Sequence, residues 1–395
     1  MSNSTTEQQS TKKEYESFKE WDDIELNEDL LRGIYSYGFD KPSPIQSKSV
    51  LPFVDGNDII AQAQSGTGKT GAFCVGSLQI LDPTVKNSQV IILSPTRELA
   101  KQNYDVYRSL SSYMDINMKL LVGGTSVNDD KEYIREHNPQ VIVGCPGRIY
   151  DMLCHNIIDT KDLKLLVLDE ADEMLSRGFK HQVYNIFKHM PNDIQVGLFS
   201  ATMPETVQQI TSKFMRDPIT ILVKSDMLTL EGIQQYYVGL DNDQNKFEAI
   251  KDIYKQISVS QGIIYCNSVR RVCDLTEALQ QENFPVICIH SGMEQRERDE
   301  ALDTFKKGIK RVLVASNVIA RGIDVQQVSF VINFDIPRDV NTYLHRIGRS
   351  GRWGRKGLGI NFCTRRDYAT LKTIEEYYGT QIEELPLNFQ KYIDE

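Results

Sequence analysis

Two strings place chemistry-bearing residues at the ends of apolar runs. The acidic quartet Asp169-Glu170-Ala171-Asp172 follows the run 163–168, and upstream of it Ala63-Gln64-Ser65-Gly66-Thr67-Gly68-Lys69-Thr70 closes the run 59–63. The upstream string has the form of a phosphate-binding loop that opens a helix. Backbone N–H groups around Ser65, Gly66, Thr67 and Gly68 would meet phosphate oxygens, Lys69 would reach the β- and γ-phosphates, and the Thr70 hydroxyl would ligate Mg²⁺. Ala63 takes the first glycine position of the usual pattern, a small departure because alanine still packs tightly. In the acidic string Asp169 would hold Mg²⁺, directly or through water, and Glu170 would polarise an attacking water. Phosphoryl transfer asks mostly for positioning and charge neutralisation, which acidic groups at a strand end can supply. Alone, the quartet also reads as a helix N-cap with acidic first-turn residues. Paired with the loop, in this order, it describes an ATP-hydrolysing site.

Other residues fit around that pair. His345 to Lys356 carries Arg346, Arg349, Arg352, Arg355 and Lys356 with no acid, and Gly348, Gly351 and Gly354 are interleaved. Arg349 and Arg352 can converge on one anion as arginine fingers, which contribute on the order of 10³–10⁵ in rate. A phosphate-contacting RNA patch or a solvated basic loop are the other readings. Gln46 ends the loop 38–46; its amide can pair with a donor and an acceptor on an adenine edge, or simply be solvated. Residues 95–100 (with Thr96 and Arg97), 123–125 (with Gly124) and 145–148 (with Pro146, Gly147 and Arg148) lie at strand-like ends and could touch a nucleic-acid backbone, a contact that carries no sequence information. Turns and N-caps explain each of them as well. His137, His155, His181 and His189 show no metal spacing.

The elements that must position these groups alternate between short β-branched runs and longer helix-like stretches. Strand-like runs fall at 59–63, 90–94, 140–144, 163–168, 196–200 and 219–223, then again at 236–240, 262–266, 285–290, 311–315, 330–334 and 358–363. The pattern predicts an α/β chain with mainly parallel sheets covered by helices on both faces. It occurs twice, and only the first copy has a phosphate loop, so the second is expected to complete a shared site from across a cleft. The expected divisions are a disordered tail at 1–20, a first domain at 21–223, a flexible linker at 224–233 and a second domain at 234–395.

Composition narrows the class. The chain has 395 residues, 40% of them hydrophobic, with net charge −9. That length allows two domains. No apolar run approaches the ~18 residues of a membrane span, and the polar start has no apolar core of a secretory signal. The seven cysteines form no C-x-x-C pair, which points to reduced thiols rather than a disulfide frame or zinc site. The first 233 residues hold 23 Lys and Arg against 32 Asp and Glu, whereas the rest hold 22 of each. This balance disfavours a protein that grips nucleic acid constantly through bulk charge.

Taken in order, the strings resemble the DEAD-box RNA helicase family over nearly the whole chain after residue 20. GFDKPSPIQ (38–46, with Phe39 and Gln46) is similar to the family's Q motif, and AQSGTGKT, PTRELA, GG, CPGR, DEAD and SAT follow as first-domain motifs. IIYCNS, ASNVIARGID and HRIGRSGR match those of the second. The resemblance implies two tandem RecA-like domains, ATP and Mg²⁺ as cofactors, and local unwinding of short RNA duplexes. It assigns Gln46 and Phe39 to the base, Asp324 to ribose, Arg349 and Arg352 to the transferred phosphate, and Ser200, Thr202, Asp172 and His345 to coupling. Thr96, Arg97, Gly124, Pro146, Gly147, Arg148 and Arg321 fall to RNA. Within the family LLRGIYSYGF, VLDEADEML, RGIDVQQVSFVINFDIP and TQIEELP are most similar to the translation-initiation branch. That implies a cytoplasmic, monomeric protein acting on single-stranded RNA and mRNA before ribosome binding, with an initiation factor 4G-like scaffold, accessory initiation factors and no membrane. An ATP-locked RNA clamp of the exon-junction type (with the nucleus as location) or a ribosome-biogenesis role is the alternative. Trp21, Cys145, Asn317 and Trp353 depart from the family pattern. Trp21 stands where the family has a phenylalanine near the adenine, and the loss of a hydroxyl at Cys145 bears on RNA.

Overall fold

The computed structural model describes residues 15–63, 66–176, 178–222, 233–257, 261–317, 328–350, 357–387 and 389. Two seven-stranded sheets form from the two halves. The first contains β1 (Ile59–Gln62), β2 (Val90–Leu93), β3 (Met118–Leu121), β4 (Val141–Gly144), β5 (Leu165–Asp169), β6 (Gln195–Ser200) and β7 (Ile219–Leu222). The second contains β8 (Ile233–Gly239), β9 (Gln261–Tyr265), β10 (Val286–Ile289), β11 (Val312–Ala315), β12 (Val328–Asn333), β13 (Gly357–Cys363) and β14 (Glu383–Glu384). Their spatial orders are β3-β4-β2-β5-β6-β1-β7 and β10-β11-β9-β12-β13-β8-β14, one permutation used twice. Every pairing is parallel. The expectation of a duplicated α/β fold holds.

Burial explains the apolar runs. All positions of β2, β4 and β5 are buried, because helices cover both faces of a parallel sheet. Successive side chains feed opposite faces: Val90 and Ile92 join one core cluster and Ile91 and Leu93 the other. Each such residue contributes about 1.5–3 kcal/mol. Two strands escaped the sequence pattern. β3 is an edge strand whose middle positions are half-buried, and its Lys119 pairs with Asp130 at 3.0 Å. β14 has only two residues, both exposed.

Two boundaries shift. Tyr15 donates to Asp55 at 2.9 Å and Phe18 is buried against Trp21, so packing reaches back into the stretch expected to be a tail; residues 1–14 lie outside the described residues. β8 starts at Ile233, the last residue assigned to the linker, because Gln234 and Gln235 interrupt the apolar run yet lie within the strand. Residues 223–232 lie outside the described residues.

Candidate nucleotide and nucleic-acid site

The first-half strings converge at the carboxyl ends of the first sheet, the edge where ligands bind in open α/β folds. The phosphate loop follows β1, residues 95–100 follow β2, residues 145–148 follow β4, the acidic quartet closes β5 and residues 200–202 close β6. β6 lies between β5 and β1, and the Ala63 N–H donates to the Ser200 carbonyl at 3.1 Å. The string order along the chain thus becomes adjacency in space.

The loop is braced from behind by residues 38–46. Gly68 has φ +101° and starts the helix Lys69–Ile80 with no side-chain cap, which leaves the first-turn N–H groups for an anion. A Cβ at Gly68 would lie 2.5 Å from Ser43 Oγ, and one at Gly71 would lie 2.3 Å from Gln46 Nε2 and 2.8 Å from the Phe39 ring. The left-handed φ favours glycine at Gly68, and a side chain at either position would displace Ser43, Gln46 or Phe39. Gln46 accepts from the Ser43 N–H at 2.8 Å and donates to the Gly68 carbonyl at 3.2 Å. These bonds use one of its two amide protons and one of its two carbonyl lone pairs, so the structure gives Gln46 a loop-bracing task that sequence did not suggest.

Lys69 donates to the Ala63 carbonyl at 2.6 Å and stands 4.0 Å from Glu170, with both side chains buried. Glu170 has φ +52°, a left-handed conformation that costs a non-glycine residue on the order of 1 kcal/mol or more and is typical of functional sites. Thr70 donates to Asn103 Oδ1 at 3.3 Å, and Asn103 Nδ2 donates to Asp169 at 2.8 Å and to Ser94 at 3.0 Å. A hydroxyl and a carboxylate brought together this way form a hard-oxygen set suited to Mg²⁺. Burial first, then the charge of Glu170, pushes the Asp169 carboxyl up to about 7, against the pull of Asn103 and Lys69.

The last acid of the quartet faces elsewhere. Thr202 donates to Asp172 Oδ2 at 2.6 Å, the Asp172 N–H donates to Ser200 Oγ at 3.3 Å, and His345 Nε2 lies 3.4 Å from the same Oδ2. His345 belongs to the helix Val340–Ile347 of the second domain, and both His345 and Asp172 are fully enclosed. Glu170, Asp172 and His345 also offer ligand atoms within 4.8 Å of one another. The Thr202 hydroxyl and the imidazole already occupy Asp172 Oδ2, so the group is a hydrogen-bond node joining the two domains.

Arg349 is buried one turn beyond His345, with its Nε donating to the His345 carbonyl at 3.2 Å. Arg346 of the same string is fully buried and structural: its guanidinium donates to Asn317, to Asn333 at 3.1 Å, to Asn267 at 2.7 Å and to the Asp335 carbonyl at 2.7 Å. The Asn317 departure thus sits against a buried cation and keeps an oxygen acceptor there. Ser65, Arg321, Asp324 and Arg352 lie outside the described residues.

The face expected to meet nucleic acid runs across both domains. Thr96 caps the helix Arg97–Leu110. Arg97 lies against Gly124, where a Cβ would come within 2.6 Å of its Nη1, and reaches Gln295 of the second domain at 3.4 Å. Arg148 pairs with Asp130 and donates to the Thr125 hydroxyl and carbonyl at 3.1 and 2.9 Å. Pro146 starts the helix Pro146–Cys154 and Gly147 faces open space. Cys145, at the N-cap, makes no side-chain cap bond. Cys145→Thr is therefore expected to raise stability by about 1 kcal/mol, read as a higher melting temperature of the free protein; an unchanged or lower one would show that the hydroxyl does not reach the helix.

Sequence reasoning missed the clamp beside this face. Arg298, in the helix Gln295–Lys306, pairs with Glu98 at 3.0 Å, with both side chains buried, and Lys101 meets Asp299 at 3.4 Å. Residues 295–300 read as an ordinary charged helix surface; no local pattern marks Arg298 as the arginine that is buried against Glu98 of the other domain.

The chain matches the DEAD/DEAH box helicase family over residues 43–210 and the helicase conserved C-terminal domain over residues 245–354. It belongs to the DEAD/DEAH box helicase family. It is 51% identical over 374 residues to the ATP-dependent RNA helicase eIF4A of Kluyveromyces lactis, covering 95% of this chain and 94% of the relative. Among solved structures, S. cerevisiae Dbp5 bound to RNA and ADP BeF3 is 34% identical and superposes with a TM-score of 0.88, covering 95% and 99% of the two chains. A point variant of S. cerevisiae Dbp5 bound to Nup159, a Gle1 variant, IP6 and ADP is 33% identical and reaches 0.65 over 94% and 98%.

Proposed function

We propose that this chain is an ATP-dependent RNA helicase of the initiation factor 4A type, which uses closure of its two domains to release short RNA duplexes before ribosome binding. The observation that carries the reading is the interface. One buried seam holds the Glu98–Arg298 pair and the Asp172–His345 contact, so the RNA-facing helix and the hydrolytic quartet meet the second domain together. The higher superposition on Dbp5 bound to RNA and ADP BeF3 than on the variant bound to Nup159, a Gle1 variant, IP6 and ADP supports the same arrangement.

Bound Mg²⁺ and ATP supply the cation that neutralises charge and the phosphoanhydride bond to be cleaved. The N–H groups of residues 65–69 and Lys69 would bind the phosphates, and the roles assigned to Gln46 and Phe39 toward the base and to Asp324 toward the ribose would complete nucleotide binding. Thr70 and Asp169 would hold the cation. Glu170 holds the attacking water and takes its proton. Arg349 and Arg352 bring positive charge from the second domain only on closure, so RNA accelerates hydrolysis by favouring that state. Thr96, Arg97, Gly124, Pro146, Gly147, Arg148 and Arg321 hold the RNA backbone. Ser200, Thr202, Asp172 and His345 couple the two events. A scaffold similar to initiation factor 4G, with accessory initiation factors, would hold the domains near closure in the cytoplasm.

Protonation of Asp169 competes with the cation. Below its ordinary value of 3.8 the carboxyl is protonated in folded and unfolded chains alike. Between there and about 7 only the folded chain keeps the proton, so in the metal-free protein rising pH removes stability through this window, and Mg²⁺ affinity rises with it. The Mg²⁺ concentration for half-maximal nucleotide binding should increase toward tenfold per unit as pH falls below about 7. A flat profile from about pH 8 to about pH 6 would show that Asp169 does not titrate there.

The test of the function is steady-state ATP hydrolysis with RNA, with DNA of the same sequence and with neither, alongside release of a short RNA duplex. RNA should stimulate and DNA should not, because backbone contacts distinguish the 2′-OH. Equal stimulation by DNA would remove the RNA assignment. Long-lived ATP-analogue complexes without duplex release would replace unwinding with a clamp.

A further inference from the structure

The helix Arg97–Leu110 buries Leu99, Ala100, Asn103, Val106, Tyr107 and Leu110 along one face. Apolar residues at this spacing are core, which makes a fully buried asparagine costly unless its amide is satisfied. Asn103 has no solvent exposure. Its carbonyl accepts from Thr70 at 3.3 Å, and its amino group donates to Asp169 at 2.8 Å and to Ser94 at 3.0 Å. This amide orientation suits the ionised form of Asp169, the form that can hold a cation, because a carboxylate only accepts. One side chain therefore spans the two oxygen donors expected to hold Mg²⁺, one from the helix after β1 and one from the end of β5. It sits on the helix whose first turn carries Arg97 and Glu98, the residues that meet Gln295 and Arg298 of the second domain. Six residues of helix, about 9 Å, separate that seam from Asn103.

We infer that Asn103 is a positioning residue that sets the spacing of Thr70 and Asp169 for the cation and ties that spacing to the helix that closes on the second domain. The inference rests on the Mg²⁺-ATP reading above. Hydrogen bonds to metal-ligating groups fix their orientation, and their removal typically costs about 10–100-fold in metal affinity. The closing experiment measures binding of a fluorescent ATP analogue to the full chain as Mg²⁺ is titrated, with an EDTA arm. Asn103→Leu keeps the branching at Cγ, with a larger side chain, and deletes all three bonds. It should raise the half-maximal Mg²⁺ concentration at least about tenfold while leaving binding in EDTA unchanged. Ser94→Ala removes only the acceptor that steadies the amide and should shift the same value by a few-fold, which keeps the test open should Asn103→Leu misfold. In both variants the RNA-stimulated rate should recover at high Mg²⁺, a rescue that a merely structural role would not produce. Wild-type Mg²⁺ dependence in a folded Asn103→Leu chain overturns the role of Asn103 alone. In a misfolded one, wild-type dependence in Ser94→Ala does so. Absence of Mg²⁺ dependence in the wild type would overturn the metal reading and this inference with it.

Discussion

Glu170→Gln is expected to lower RNA-stimulated ATP hydrolysis by about 10²–10⁴-fold, the usual contribution of a positioned general base, while ATP-dependent RNA binding persists. The side chain is buried beside Lys69 at 4.0 Å. Its backbone has φ +52°, a left-handed conformation rare for a non-glycine residue. Glutamine preserves shape and hydrogen bonding but cannot take a proton. The variant should therefore accumulate as a closed complex with ATP and RNA. Single-turnover hydrolysis together with RNA-binding titrations checks this. Near-normal hydrolysis would mean that another group activates the water, and loss of ATP binding would mean that Glu170 holds the loop instead.

Arg298→Ala should remove most of the stimulation by RNA and little of the basal rate. Arg298 and Glu98 are both buried and 3.0 Å apart. Removing one partner strands the other, a penalty of about 3–5 kcal/mol for buried pairs. The penalty falls on the closed state alone, because Glu98 regains water when the domains part. A shift of that size lowers the closed population by on the order of 10²-fold or more. The double variant Glu98→Leu with Arg298→Leu leaves no stranded charge and should recover much of the loss. Interdomain distance by fluorescence energy transfer, measured with ATP analogue and RNA, reads the effect directly. A lower melting temperature with unchanged RNA stimulation would assign the pair to stability rather than closure.

Legibility in the sequence followed chain distance. The phosphate loop and the acidic quartet were readable because each is a contiguous string at the end of a buried strand, and β2, β4 and β5 were readable because both faces are covered and every position before the closing Asp169 of β5 is apolar. β3 was lost because an edge strand needs fewer buried positions and tolerates Lys119. β8 was entered late because Gln234 and Gln235 break its apolar run. Trp21 is enclosed in the first-domain core, in the cluster against which Phe39 packs.

By itself the sequence determined which atoms are available for chemistry: a lysine and a threonine at a helix start, two acids at a strand end and arginines in a glycine-rich string. Local rules of turns and helix termini suffice for these, since each depends on neighbours a few residues away. The tertiary structure alone decided how they are held. Gln46 became a brace for Gly68, Asn103 a link between Thr70 and Asp169, and Arg298 a partner for Glu98. Asp172 and His345 meet across 173 residues of chain. Such pairings carry no local signal, because they follow from strand order and from which residues the two domains bring together.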